Sequence, residues 1–207
     1  MNRPQPDGSD LRPVTEADTP ALAAVLARAF ATNPGMSWVF RDPATRPDRL
    51  ERLFAVLLAR IWLPRGECLT TDGLDGAALW LGPGRWHLPL AAQAAVLPRA
   101  ARAAGRQTPR MLRGMAITEA RHPRTPEHWY LAVLGVDPSS QGRGFGPHLM
   151  TPVLDRCDRD GTPAYLETDT EQNVALYERH GFRVTGELTL PGGDEPTVWL
   201  MWRDPRG

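Results

Sequence analysis

The chain has 207 residues, with 24 basic and 24 acidic side chains and a formal net charge of zero. That size suits one domain, and the neutral balance gives no electrostatic footprint for nucleic-acid phosphates. All 24 basic residues are arginine, which excludes lysine chemistry such as a Schiff base or a Walker-type phosphate contact. Two cysteines, Cys68 and Cys157, make neither a disulfide framework nor a zinc spacing, so a reducing, cytoplasmic setting is expected. The polar opening "MNRPQPDGSD" has no apolar signal core, and no apolar run reaches the ~18 residues of a bilayer span. Residues 1–8 are expected to form a flexible tail and residues 9–207 a single domain.

"DLRPV" reads as a short first strand. Thr19 and Pro20 look like an N-cap and first-turn proline, and Leu22, Val25, Leu26 and Ala29 repeat at helical spacing. Asn33, Pro34 and Gly35 break that helix. A second amphipathic helix is predicted from about Asp48 to Leu63, containing Arg60, and residues 64–66 stop it. "ECLTT" and "GAALWLG" read as strands joined by the turn-like "DGLDG". Residues 89–116 read as one or two helices broken near Gly105 and Pro109. "HWYLAVLGV" is the most strand-like segment. A helix then runs to about Asp160, "TPAYLETD" is a strand, and "NVALYERHGF" is a short helix stopped by Gly181, with His180 in its last turn. "FRVTGELTL" and "TVWLMWR" read as a closing hairpin. One sheet with flanking helices in mixed order implies an α/β or α+β domain.

The stretch "VDPSSQGRGFGPHLM" places Gly142, Gly144 and Gly146 just before a helix. The first four N–H groups of a helix have no internal partner and attract anions, helped by the helix dipole. Glycines permit positive φ and let a phosphate approach the backbone closely. Gln141, Gly142, Arg143, Gly144, Phe145 and Gly146 are therefore read as a diphosphate cradle, with Arg143 adding a charge-assisted contact. A P-loop fails for want of Gly-Lys-Ser/Thr. A dinucleotide fingerprint fits Gly142 and Gly144, with Glu167 at a tolerable distance, but Pro147 stands where the third glycine belongs.

The third pattern, Gln/Arg-x-x-Gly-x-Gly/Ala, fits at Gln141, Gly144 and Gly146. The segment resembles the acyl-CoA-binding motif of the GCN5-related N-acetyltransferases (GNAT). The likeness continues through "AYLETD" and "NVALYERHGF", which look like that family's next strand and its Asn…Tyr helix. Within the family the matching segments look most like puromycin N-acetyltransferase and its small-molecule relatives. The match is strong over residues 129–202 and loose over 10–128.

The resemblance implies the GNAT fold: a central, mostly antiparallel twisted sheet of about seven strands, splayed between the fourth and fifth and flanked by helices. It implies direct transfer of acetyl from acetyl-CoA to the amine of a small molecule, antibiotic-like or biosynthetic. A peptide or protein N-terminus as acceptor, or a non-catalytic acyl-CoA-binding module, are the alternatives. The exposed edge of the "LAVLGV" strand at Leu134, Gly135 and Val136 would pair with the pantetheine arm, with Gly135 marking a bulge. A backbone N–H near Leu134 or Val136 would face the thioester oxygen. Tyr177 is implied as general acid, its phenol with a reference pKa near ~10 protonated at neutral pH. Asn173, one helical turn earlier, would orient the pantetheine or the helix start.

For the base, strand alternation puts Tyr165, Glu167 and Asp169 on one face, and Glu167 is preferred over Glu119, His122 and His128. A water chain with no single base is the other option. The five histidines show no paired ligand spacing, so no metal is expected. Phe30, Trp38, Phe40, Trp80 and Trp129 are ordinary core candidates one by one. As a set they suggest an aromatic-lined acceptor pocket for a flat or apolar amine. No membrane or nucleic-acid partner is expected, and the C-terminal strands would suit a homodimer.

Overall fold

The computed structural model describes residues 11–192 and 195–206, so the expected tail over residues 1–8 lies outside the described residues. Seven strands form one sheet: β1 (Leu11–Pro13), β2 (Gly66–Thr71), β3 (Gly76–Leu81), β4 (Trp129–Val136), β5 (Ala164–Thr168), β6 (Arg183–Thr189) and β7 (Thr197–Arg203). Their spatial order is β1-β2-β3-β4-β5-β7-β6. All neighbours are antiparallel except β4 and β5, which run parallel.

β3 is buried along its whole length, as a strand covered on both faces must be. Ala77, Leu79 and Leu81 face one core, built with helices α1 (Thr19–Ala29), α3 (Arg46–Leu57), α5 (Leu90–Ala104) and α6 (Thr108–Glu119). Ala78 and Trp80 face the other core, built with α7 (Phe145–Asp160) and α8 (Glu171–Arg179). Arg203, 2% exposed, ties the last strand to this second layer. Its Nη2 donates to Asp158 of α7 at 2.6 Å, and its Nε donates to the His180 carbonyl at 2.9 Å.

Several local readings change in three dimensions. The break at Asn33 is followed by a short helix, α2 (Pro34–Val39), whose Met36 N–H is capped by the Asn33 side chain at 2.9 Å. The helix expected from about Asp48 to Leu63 begins two residues earlier and passes through a π turn (Leu58–Trp62) into α4 (Leu63–Arg65). Thr19 is not a cap. Instead Thr15 and Asp18 cap a preceding 3₁₀ turn, with the Thr15 N–H donating to Asp18 at 2.8 Å. Gly105, at φ +59°, separates α5 from α6, and a Cβ there would sit 2.5 Å from Arg49 Nη1. Pro152 does not break α7, whose Phe145, Leu149, Val153 and Cys157 are buried on one stripe. Among the described residues no helix is long and apolar enough to cross a membrane.

Candidate active site

The sheet opens at its centre. β4 and β5 pair only at Trp129–Ala164, Tyr130–Tyr165 and Leu131–Leu166. Beyond Leu131 the β5-facing edge of β4 has no strand partner, so alternate backbone groups over residues 132–136 are left free. The cause lies in the register with β3. Leu79 opposes Val133 and Trp80 opposes Leu131, so Ala132 is an extra residue. Ala132 and Val133 consequently both pack on the α1 side, while Leu131 and Leu134 face α7. The bulge expected at Gly135 is thus at Ala132. Gly135 is required for a different reason: a Cβ there would lie 2.6 Å from Leu26 Cδ2 and 3.0 Å from Phe30 Cε2 of the overlying helix segment.

The open edge leads to the glycine-rich loop. A 3₁₀ turn (Pro138–Ser140) follows β4, organised by Asp137, whose carboxylate accepts from Ser139 N and Oγ at 3.0 and 2.6 Å and pairs with Arg28. Gln141 Nε2 donates back to the Val136 carbonyl at 3.1 Å. Gly142 and Gly144 hold φ +74° and +89°, and α7 starts at Phe145. Among the described residues no protein acceptor takes the N–H groups of Gly142, Arg143 and Gly144. Arg143 lies 5.0 Å over the Phe145 ring. These donors at the start of a sixteen-residue helix suit a diphosphate.

On the opposite face of the sheet an open cavity of about 590 Å³ is lined by α2, α3, α5, α6 and the inner strands. Its wall is largely apolar, including Phe30, Met36, Trp38, Phe40 and Met111, and Arg110 covers the Trp38 ring at 4.3 Å. Its polar side carries Glu119, His122, Tyr130, Glu167 and Asp169. Glu167 is the first β5 residue beyond the last pair with β4, so its carboxylate stands at the fork.

Rings pack tightly around this carboxylate. His122 Nδ1 lies 3.5 Å from Glu167 Oε1, with side-chain exposures of only 3% and 11%. Trp86 stacks on His122 at 4.0 Å, and Tyr130 and Tyr165 meet it edge-on at 4.7 Å each. Burial, then the Glu167 charge, raises the pKa of both phenols. Asp169, further along β5, accepts from the Asn33 side chain and from the Gly35 N–H, which anchors α2. Burial raises its pKa against these bonds.

Residues 101–182 match the family model described as Acetyltransferase (GNAT) family. An uncharacterized N-acetyltransferase of Schizosaccharomyces pombe is 29% identical over 204 residues, covering 93% of this chain and 82% of that one. A mycothiol acetyltransferase of Brachybacterium faecium is 46% identical over 57 residues, 26% of this chain and 17% of its own length. A Corynebacterium glutamicum crystal structure, described as histone acetyltransferase HPA2 and related acetyltransferase, superposes with a TM-score of 0.68. It is 26% identical and covers 96% of this chain and 97% of its own. This chain carries a GNAT acetyltransferase domain.

The GNAT domain is that of an acetyl-transfer enzyme, and its seven-stranded sheet splays between the fourth and fifth strands as the resemblance implied. Phe30, Trp38 and Phe40 line the cavity. Trp80 and Trp129 do not. Trp80 is fully buried in the α7 layer, and Trp129 packs beside it with Arg156 at 5.5 Å over its ring. Strand direction sends both indoles to the opposite face of the sheet. Trp86, Met36, Met111 and Tyr130 line the wall without having been singled out; Asp169 was placed on the Glu167 face by alternation alone.

Tyr177 of α8 is buried in the α7 layer with Leu131 and Leu166, and its ring meets Phe182 edge-on at 5.9 Å. Burial, then the Asp169 charge, raises its pKa, so the phenol keeps its proton at neutral pH. Asn173 sits half-buried one turn earlier. Both thiols are buried, and burial pushes Cys68 and Cys157 up to about 12, which removes either as a nucleophile at neutral pH. His180 donates a ring N–H to the Leu176 carbonyl at 2.9 Å, an explanation complete within its helix end.

Proposed function

We propose that the domain moves an acetyl group from acetyl-CoA directly to the primary amine of a small molecule with a flat or apolar body. The observation that carries this reading is the fork between β4 and β5. It lies between an apolar cavity on one face and the glycine loop and Tyr177 layer on the other, and Glu167, in the cavity wall, is the first β5 residue past the fork. Acceptor and donor can thus approach one point from opposite faces.

In this reading the amides of residues 142–146 hold the diphosphate, with Arg143 contributing charge. The unpaired edge of β4 takes the pantetheine arm as an added strand, and an N–H near Leu134 or Val136 faces the thioester oxygen. Asn173 orients the arm. Tyr177 donates its phenolic proton to the leaving thiolate, and Glu167 takes the proton the amine must lose. Phe30, Trp38 and Phe40, with Met36 and Met111, hold the acceptor body, while Glu119, Glu167 and Asp169 make the polar side attractive to a cationic amine.

A concave, largely apolar wall built from four helices favours a small apolar acceptor over a protein surface, and the phenol at Tyr177 favours catalysis over mere binding of acyl-CoA. The test is thiol release from acetyl-CoA over a panel of arylalkyl, long-chain and nucleoside-type amines (puromycin included) and N-terminal peptides, with Tyr177→Phe as comparison. Turnover on apolar small amines supports the reading. Turnover on peptides alone, or tight acetyl-CoA binding with no turnover, contradicts it.

A further inference from the structure

The hydrogen bonds around Glu167 fix where protons reside. His128 Nδ1 lies 2.9 Å from the Pro126 carbonyl, which can only accept, so Nδ1 carries hydrogen. His128 is 1% exposed, and burial lowers its pKa, so the ring is neutral and Nε2 offers a lone pair. His122 Nε2 lies 3.0 Å from that lone pair and must be the donor. The nitrogen of His122 left toward the cavity side is Nδ1, and it faces Glu167 Oε1. The Trp86 stack and the edges of Tyr130 and Tyr165 hold the ring in that plane.

We propose that Glu167 and His122 act as one proton-accepting couple, with His128 as the positioning residue that keeps His122 Nδ1 directed at the carboxylate. This rests on the acetyl-transfer reading and adds to it the group that stores the proton. The step balances simply. A substrate ammonium gives one N–H proton to Glu167, and the bonding pair stays on nitrogen as the attacking lone pair. The proton is then shared between Glu167 Oε1 and His122 Nδ1, leaving a carboxylate beside an imidazolium, and it returns through Glu167 to the cavity before the next turnover. Two partners hold the charge where a lone buried carboxylic acid would have to be regenerated unaided. The other titratable groups facing the couple are Tyr130 and Tyr165 from the strands, Asp169 at the end of β5, and Glu119 of α6, which pairs with His87 at 3.2 Å.

The test uses the full chain and two readouts. Ring-¹⁵N spectra of histidine-labelled protein should show His128 as the Nδ1–H tautomer and His122 protonated at Nε2. With acetyl-CoA and the best amine of the panel, His122→Phe should lower kcat about 10- to 100-fold at pH 7. The loss should shrink as pH rises and solution delivers the amine already deprotonated. His128→Leu should give a smaller loss of the same pH form, and His128→Gln, which keeps an acceptor near Nε2, should recover most of it. A His122 ring unprotonated at Nε2, or a pH-independent loss in His122→Phe, overturns the couple while leaving acetyl transfer intact. A wild-type chain that turns over no amine defeats acetyl transfer instead, and the ring tautomers then decide the couple by themselves. Should His128→Leu fail to fold, His128→Gln and the spectra still decide.

Discussion

Asp169 accepts a hydrogen bond from the Gly35 N–H at 2.7 Å, which fastens the end of β5 to the first turn of α2. A side chain at residue 35 would collide with Asp169 Oδ2. Gly35→Ala should therefore detach α2, carrying Met36 and Trp38, from the strand that bears Glu167. A hydrogen bond to a charged group is worth about 1.5 kcal/mol or more, so KM for the acceptor should rise about tenfold or more. The Kd for acetyl-CoA, read by calorimetry, should hardly move.

The cradle glycines separate backbone need from space. Gly142 and Gly144 hold left-handed backbone, and a Cβ on Gly142 would meet nothing within 4 Å. Gly144→Ala should cost about 1–2 kcal/mol of stability through strain alone. Gly146 lies inside α7, and its added Cβ would make ordinary contacts at 3.9 Å to Leu134 and Leu176. Gly146→Ala should leave the apo protein as stable or up to about 1 kcal/mol more so, as in any helix. Its thermal shift with saturating acetyl-CoA should be kept as well, because the pattern at this position admits alanine and the added methyl points at Leu134 and Leu176 rather than at the loop amides.

Tyr177→Phe removes the hydroxyl and keeps the ring that meets Phe182 edge-on. It should lower kcat about 100-fold with little change in unfolding midpoint or acetyl-CoA affinity. Because the phenol pKa is raised, wild-type kcat should show no alkaline fall from Tyr177 ionisation near pH 10. A stopped assay from pH 6 to 10 checks both.

Acid should destabilise the fold through two carboxylates. The Arg203 hydrogen bond holds Asp158 below its usual range, and hydrogen bonds from Ser139 hold Asp137 down at about 2. A depressed folded-state pKa gives stability that is fully present above the ordinary carboxylate range and is lost as pH falls through the folded value. Urea midpoints should drop between about pH 4 and 2. Asp158→Asn should start lower at pH 7 and fall less steeply.

Much of this arrangement is legible in the chain. The backbone of the glycine loop, with positive φ at Gly142 and Gly144 and a helix starting at Phe145, is legible because its turn and helix start are local, and local backbone demands appear as residue types. The length and alternation of "HWYLAVLGV" place the central strand, and the same alternation puts Asp169 on the Glu167 face. Of the five aromatic candidates only Phe30, Trp38 and Phe40 line the cavity. Trp80 lies on a strand buried on both faces, so residue type carries no information about which core its ring enters. Ala132 as the bulge is invisible because any small residue can be the unpaired one. The nearness of His122 and Glu167 arises from a loop folding over β5, a contact across 45 positions that no spacing rule encodes.

The most direct measurement is a crystal structure of the chain with acetyl-CoA. The account predicts the diphosphate against the N–H groups of residues 142–146, the pantetheine along residues 132–136 of β4, and the sulfur within reach of the Tyr177 hydroxyl. A nucleotide lodged elsewhere, with the fork between β4 and β5 empty or the Tyr177 hydroxyl turned from the sulfur, would contradict it.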